Sequence, residues 1–362
     1  MPAVTRISLP EDFYDITSAL LLRQPEPQYL HGLLAKNALA FKLNGGHGYG
    51  LPGRGGPASG ASVPNVDEHR LVLSDPIATE AVVAVNEGAV GHTIRLNRPK
   101  FSNTTYTEAS REVSSGSTIS TVPIDLQMEQ VPLTLKRFSG PFDQTNNRVA
   151  PIAIDEFDAK RAVHDLVEYR GMQLVRDFDR WLDAVMVLAF DSVASANVVY
   201  PTGMSTDNGA TTVDAFPLDV TTLFKAEELL AGSHIPRFSD GTYACVLTSR
   251  QIRELKDDDQ FARYAQFQGP GLNPLLPNFI GKVGKLMIYE SNTLQQVLNS
   301  SSVAIHYGQM FGPGKVGLAV SEMPRILMST DDNYGLQSKV IWEMEGGFAN
   351  LDNRFGCSIR TS

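Results

Sequence analysis

One stretch limits what this chain can become. From Asp155 to about Ala196 it reads DEFDAKRAVHDLVEYRGMQLVRDFDRWLDAVMVLAFDSVASA, with no proline to interrupt a helix over about ten turns. Apolar residues recur at Val163, Leu166, Val167, Leu174, Val175, Phe178, Trp181, Leu182, Val185, Leu188 and Ala189, mostly three or four apart. That is the period of one buried helical face. Asp155, Glu156 and Asp158 stand at its start, where carboxylates favour the positive end of the helix dipole. Gly171 gives the rod a place to bend or to admit a close neighbour. The spacing predicts one helix of roughly forty residues.

Before this helix the pattern is different. Residues 1–75 read as an extended arm with one short amphipathic segment, Pro27 to Ala40, and a Gly/Pro-rich run from Asn44 to Pro64. No GK[ST] element accompanies those glycines, so a phosphate-cradling loop is not expected there. From Gly91 to Phe138 the period drops to two: Ile94 and Leu96 alternate with polar residues, as do Ile124, Leu126 and Met128, then Val131, Leu133 and Leu135. The phase slips at Gln130, which predicts a bulge or a change of sheet at that point. Between the two halves lies a Ser/Thr-rich tip, Ser102 to Thr121. A lone two-stranded excursion is marginal in water and is expected to lie on a neighbouring subunit. Pro123 and Pro132 suit edge positions that need no ladder donor.

After the long helix the chain alternates helices with strands. A helix is predicted over Thr221–Ala231, stopped by Gly232, and a buried strand over Tyr243–Leu247. Thr248 and Gln251 have capping-box spacing and open a second helix, SRQIRELKDDDQF. Further strands are predicted at Gly284–Glu290, Val303–His306, Val316–Val320, Arg325–Met328, Lys339–Met344 and Cys357–Arg360. The last segment is expected to return beside the long helix.

Chemistry is sparse. The seven histidines form no HxH, HExxH or HxxxH arrangement, and no GxSxG element occurs. His164 and Glu168 read as an ordinary i,i+4 pair, and Asp257–Asp259 as a solvated helix end. Cys245 and Cys357, far apart, read as reduced core residues. No cofactor or metal is expected. The net charge of −9 argues against wrapping nucleic acid by phosphate neutralisation, though not against enclosing it. No apolar run is long enough to cross a bilayer and no signal peptide opens the chain, so no membrane partner is expected and the cytosol is the expected place of synthesis.

The order is therefore arm, long β-excursion, long helix, compact α/β unit and C-terminal return. With Gly91–Phe101, Glu129–Gly140, Tyr243–Phe261, Ile280–Glu290 and Glu345–Arg354, it resembles the major capsid proteins of tailed bacteriophages, the Hong Kong 97-type fold. The resemblance implies an α+β chain divided into an N-terminal arm (1–75), an extended β-hairpin loop with its flanks (76–150), the spine helix of a peripheral domain (151–200), a mixed α/β axial domain (201–325) and a C-terminal return to the peripheral domain (326–362). It implies a non-enzymatic subunit of hexamers and pentamers in an icosahedral head, assembled in host cytoplasm around double-stranded DNA. The partners implied are copies of the chain, a portal, and scaffolding or decoration proteins. Expected intersubunit contacts are Arg95, Arg98, Lys100, Arg111, Lys136, Arg137, Arg161, Glu168, Arg176 and Arg180. The Lys–Asn crosslink of some relatives is not assigned, because Ser102–Thr121 holds no lysine and only Lys100 lies at its root. The same architecture also builds encapsulin shells around protein cargo. A soluble α/β enzyme would need a convergent catalytic set that the sequence does not offer.

Overall fold

A computed structural model describes residues 29–36 and 77–86 in part, then 93–99, 128–155, 166–261, 279–332 and 337–362, apart from single residues at 33, 144 and 214. Among the described residues the strands form two large β-sheets and two separate two-stranded ones. The first is built from β1 (Val82–Asn86), β4 (Lys136–Gly140), β7 (Ile152–Asp155), β14 (Val316–Asp332) and β15 (Gln337–Asn350). Its order is β1-β14-β15-β4, with β7 also on β15. Trp342–Gly346 of β15 pair with β4, and Gln337–Val340 pair with β7. The short strands thus lie end to end along one edge.

Helix α1 (Leu166–Asp191) crosses this sheet. Among its buried apolar positions, Leu174, Phe178, Leu182, Met186 and Phe190 recur every four residues and share one core with Val340, Trp342 and Met344 of β15. Phe178 meets the Trp342 ring edge-on at 5.2 Å, and Trp181 packs on the same ring at 5.0 Å. Each such fully buried side chain contributes about 1.5–3 kcal/mol, which holds the helix to the sheet. The described helix has 26 residues, against the forty expected. Asp155 ends strand β7, paired with Gln337, and so does not open the helix. Past Asp191 the chain leaves the helix and makes a 3-10 turn at Ser195–Asn197. Leu188, expected in the core, is 57% exposed.

The second sheet is built from β8 (Val198–Val199), β9 (Tyr243–Leu247), β10 (Phe279–Val283), β11 (Leu286–Glu290), β12 (Gln296–Leu298), β13 (Ala304–Phe311) and β16 (Gly356–Thr361). Its order is β10-β11-β9-β13-β16-β8, with β12 also on β13. Helices α2 (Val220–Gly232) and α3 (Ser249–Asp257) cover it. The expected capping box is present: Gln251 N–H donates to Thr248 Oγ1 while the Gln251 side chain accepts from Thr248 N–H. The same amide donates to the backbone oxygens of His306 and Ile359, tying α3 to β13 and β16. At the end of α2, His234 takes the left-handed conformation (φ 56°) rather than Gly232. Ile235 N–H then reaches back to Leu230 O at 3.2 Å, closing a Schellman turn around two buried side chains.

Three placements differ from expectation. Strand β1, absent from the sequence reading, pairs in parallel with β14 from Val82↔Val316 to Asn86↔Val320. Strand β14 runs unbroken across the expected boundary at 325/326, with register shifts where the sequence suggested two strands. The last strand, β16, lies in the second sheet between β13 and β8. Within the C-terminal segment it is β15 that packs under the long helix, while β16 joins the other sheet.

Candidate intersubunit surfaces

The excursion is rooted on its own chain. β2 (Thr93–Pro99) and β3 (Met128–Thr134) pair without a register shift, Asn97 opposite Gln130. The change of sheet comes at Leu135, where the chain leaves β3 and enters β4, and not at Gln130. Ile94, Leu133 and Leu135 are buried against Ala319 and Leu351. The first sheet and Leu351 therefore support the base of the hairpin within its own chain. Pro132 lies in an edge strand, as its missing N–H requires. The Ser/Thr-rich tip, Ser102–Thr121, lies outside the described residues.

One segment of the arm is seated as well. Residues 30–32 and 34–36 are helical, and Tyr29, Leu30, His31, Leu34, Ala35 and Lys36 are buried. Lys36 pairs with Asp179 of α1. Asp183 accepts the Gly32 N–H at 2.8 Å, supplying an acceptor to the first turn of the arm helix. The approach is close: a Cβ on Gly32 would stand 3.3 Å from that of Asp183. Arg180 Nε donates to the Tyr29 hydroxyl at 3.0 Å. The remainder of the Pro27–Ala40 segment is outside the described residues.

The face of the first sheet away from α1 carries a charge ladder. Glu343 is 3% exposed and lies between Arg137 and Arg325, and Arg325 also reaches Glu322 at 3.0 Å. On the helix side, Asp177 accepts from Trp342 Nε1 at 2.8 Å. Burial pushes its carboxyl above the ordinary range, against the opposing pull of hydrogen bonds from Trp342 and the Phe142 backbone and of the Arg180 charge.

Of the expected contact residues, Arg95, Lys136, Arg137, Arg176 and Arg180 are exposed. Within the chain, Arg95 reaches Gln130 at 3.4 Å, Arg137 pairs with Glu343 and Arg180 donates to Tyr29. Arg98 and Glu168 fall within β2 and α1 without described side chains; Lys100, Arg111 and Arg161 lie outside the described residues. The structure places the five described side chains on β2, β4 and α1. It reveals a different stripe on α1: Tyr169, Met172, Arg176, Arg180, Ala184 and Leu188, all exposed and three or four apart. Completing the helical period on the polar side would have found it. A second exposed apolar pair, Phe142 and Val149, sits opposite in the hairpin of β5 (Phe142–Asp143) and β6 (Arg148–Val149). Nothing in the local sequence distinguishes that pair. Among the described residues no group of three or more His, Cys, Asp or Glu could hold a metal, and no helix is long and apolar enough to cross a membrane.

No family model and no curated protein sequence matches the chain. Solved structures do. The capsid of Ralstonia phage GP4 matches with a TM-score of 0.58 at 14% identity, over 86% of this chain and 97% of that one. The cyanophage Pam1 capsid subunit matches at 0.58 and 15% identity, over 84% and 96%. The acid-stable capsid of Helicobacter pylori bacteriophage KHP30 matches at 0.54 and 12% identity, over 77% and 87%. With its two sheets, long helix, rooted hairpin and seated arm, the chain has the α+β fold of phage capsid subunits.

Proposed function

We propose that this chain is the major capsid protein of a tailed bacteriophage, a structural subunit with no catalytic role. Copies assemble as hexamers and pentamers into an icosahedral head enclosing double-stranded DNA. The observation that carries this reading is reciprocal coverage: 86% of the chain accounts for 97% of the GP4 capsid subunit. Little of either chain is left over for a separate activity. The net charge of −9 fits a wall that encloses DNA without gripping its phosphates.

In this reading the hairpin tip and the α1 stripe meet neighbouring copies. Arg95, Arg98, Lys100, Arg111, Lys136, Arg137, Arg161, Glu168, Arg176 and Arg180 are the charged contacts, joined by Tyr169, Met172 and Leu188 as apolar anchors. A portal, scaffolding or decoration proteins complete the particle, which forms in host cytoplasm and ends as the virion shell. Negative-stain microscopy of the expressed full chain tests this: closed shells or capsomers are expected. Discrete monomers at high concentration, together with turnover of a small substrate, would overturn it.

A further inference from the structure

The seat of the arm helix contains two buried polar atoms with no hydrogen-bond partner among the described residues, His31 Nδ1 and Asp183 Oδ2. Both groups are fully buried. Gln309 Nε2 donates to Val187 O at 3.2 Å, so its amide oxygen faces His31 Nε2 at 2.9 Å. The ring must donate from Nε2, which leaves Nδ1 as a bare lone pair in the neutral state. Phe190 covers the ring at 5.3 Å. A second proton on this imidazole would be a cation with an unsatisfied N–H, cut off from water.

We propose that the arm segment carrying Tyr29–Gly32 and Leu34–Lys36 is a proton-released strap: acidification charges His31 and frees the segment from α1. The groups around the ring decide the direction. From α1, Asp183 attracts a proton to the ring, and Asp179 is already paired with Lys36. From β13 comes neutral Gln309, with Asp191 behind it among Arg360 and Lys315. Burial outweighs the attraction of Asp183 and the Gln309 hydrogen bond, and holds the ring below its ordinary 6.5. The seated strap therefore binds fewer protons than the released one between its own titration point and about 6.5. Seating is fully favoured above that window and weakens as pH falls through it. One proton changes the seated-to-released ratio by at most about tenfold per pH unit. The strap belongs to the single chain and does not depend on the shell reading.

Amide hydrogen exchange of the full chain at pH 7.5, 6.5 and 5.5, corrected for intrinsic rates, tests the strap. Opening of the peptide covering 29–36 is expected to rise several-fold between pH 6.5 and 5.5, while β9 and β13 keep their protection. His31→Gln should remove that rise. A pH-independent wild type, or a rise retained in His31→Gln, overturns the proposal. Should the variant fail to fold, exchange of the His31 C2 proton in the wild type decides: a midpoint below 6.5 is expected, and one at or above 6.5 overturns it.

Discussion

Lys36 of the arm and Asp179 of α1 form an ion pair inside the chain, their side chains 1% and 8% exposed. Lys36 also lies 5.5 Å from the Phe178 ring centre, so the ammonium sits among apolar groups. Removing one partner strands the other charge. Asp179→Ala is expected to cost about 3–5 kcal/mol, and the pair Lys36→Met with Asp179→Leu to recover most of it. Denaturant unfolding of the three variants measures both.

The hairpin has a root that serves the fold and a tip proposed to serve assembly. Leu133→Ala, at a position with no exposure, should lower the stability of the chain itself by about 2–5 kcal/mol. Deleting Ser102–Thr121 should leave chain unfolding unchanged but give shells that dissociate more readily, read by microscopy and thermal disassembly. Shells of normal stability would mean the tip is no intersubunit clamp.

Gly140 lets β4 pass the Trp342 ring and the Asp177 carboxylate, both of which an added Cβ would overlap. Gly140→Ala should therefore destabilise by about 1–3 kcal/mol through overpacking. Tryptophan fluorescence during unfolding reports it directly, because the disturbed ring is the probe.

Lys315 is buried, donating to Ser192 O at 2.6 Å and Asp352 O at 3.3 Å. Burial brings its ammonium down to about 8, against the attraction of Asp352 and Asp191. Between about 8 and the ordinary 10.5 the unfolded chain binds the extra proton, so this group makes the fold more stable as pH rises across that window. Lys315→Met should lose that component. The difference between the two stability profiles from pH 8 to 10 isolates it from the other lysines.

Cys245 and Cys357 flank Met310 in register across three strands, and both are buried. Burial raises both thiols, Cys357 to about 12. Neither should react with iodoacetamide at pH 8 in the folded chain, and both should react once it is denatured.

What the sequence determined by itself is local in origin. The capping box at Thr248 and Gln251, the core stripe of α1 and the alternation through Ile94 and Leu133 follow from contacts two to four residues apart, so their spacing announces them. A strand's period does not name its partner. That β1 would lie parallel to β14, that Gly356–Thr361 would enter the second sheet, and that Ile94 and Leu133 would find Ala319 and Leu351 depended on ladder bonds and burial between distant segments. The arm gives the sharpest case. Its short amphipathic pattern at Pro27–Ala40 was legible, but not that Gly32, Lys36 and His31 would meet Asp183, Asp179 and Gln309, because a buried charge or imidazole is tolerated only where tertiary packing brings its partner within reach.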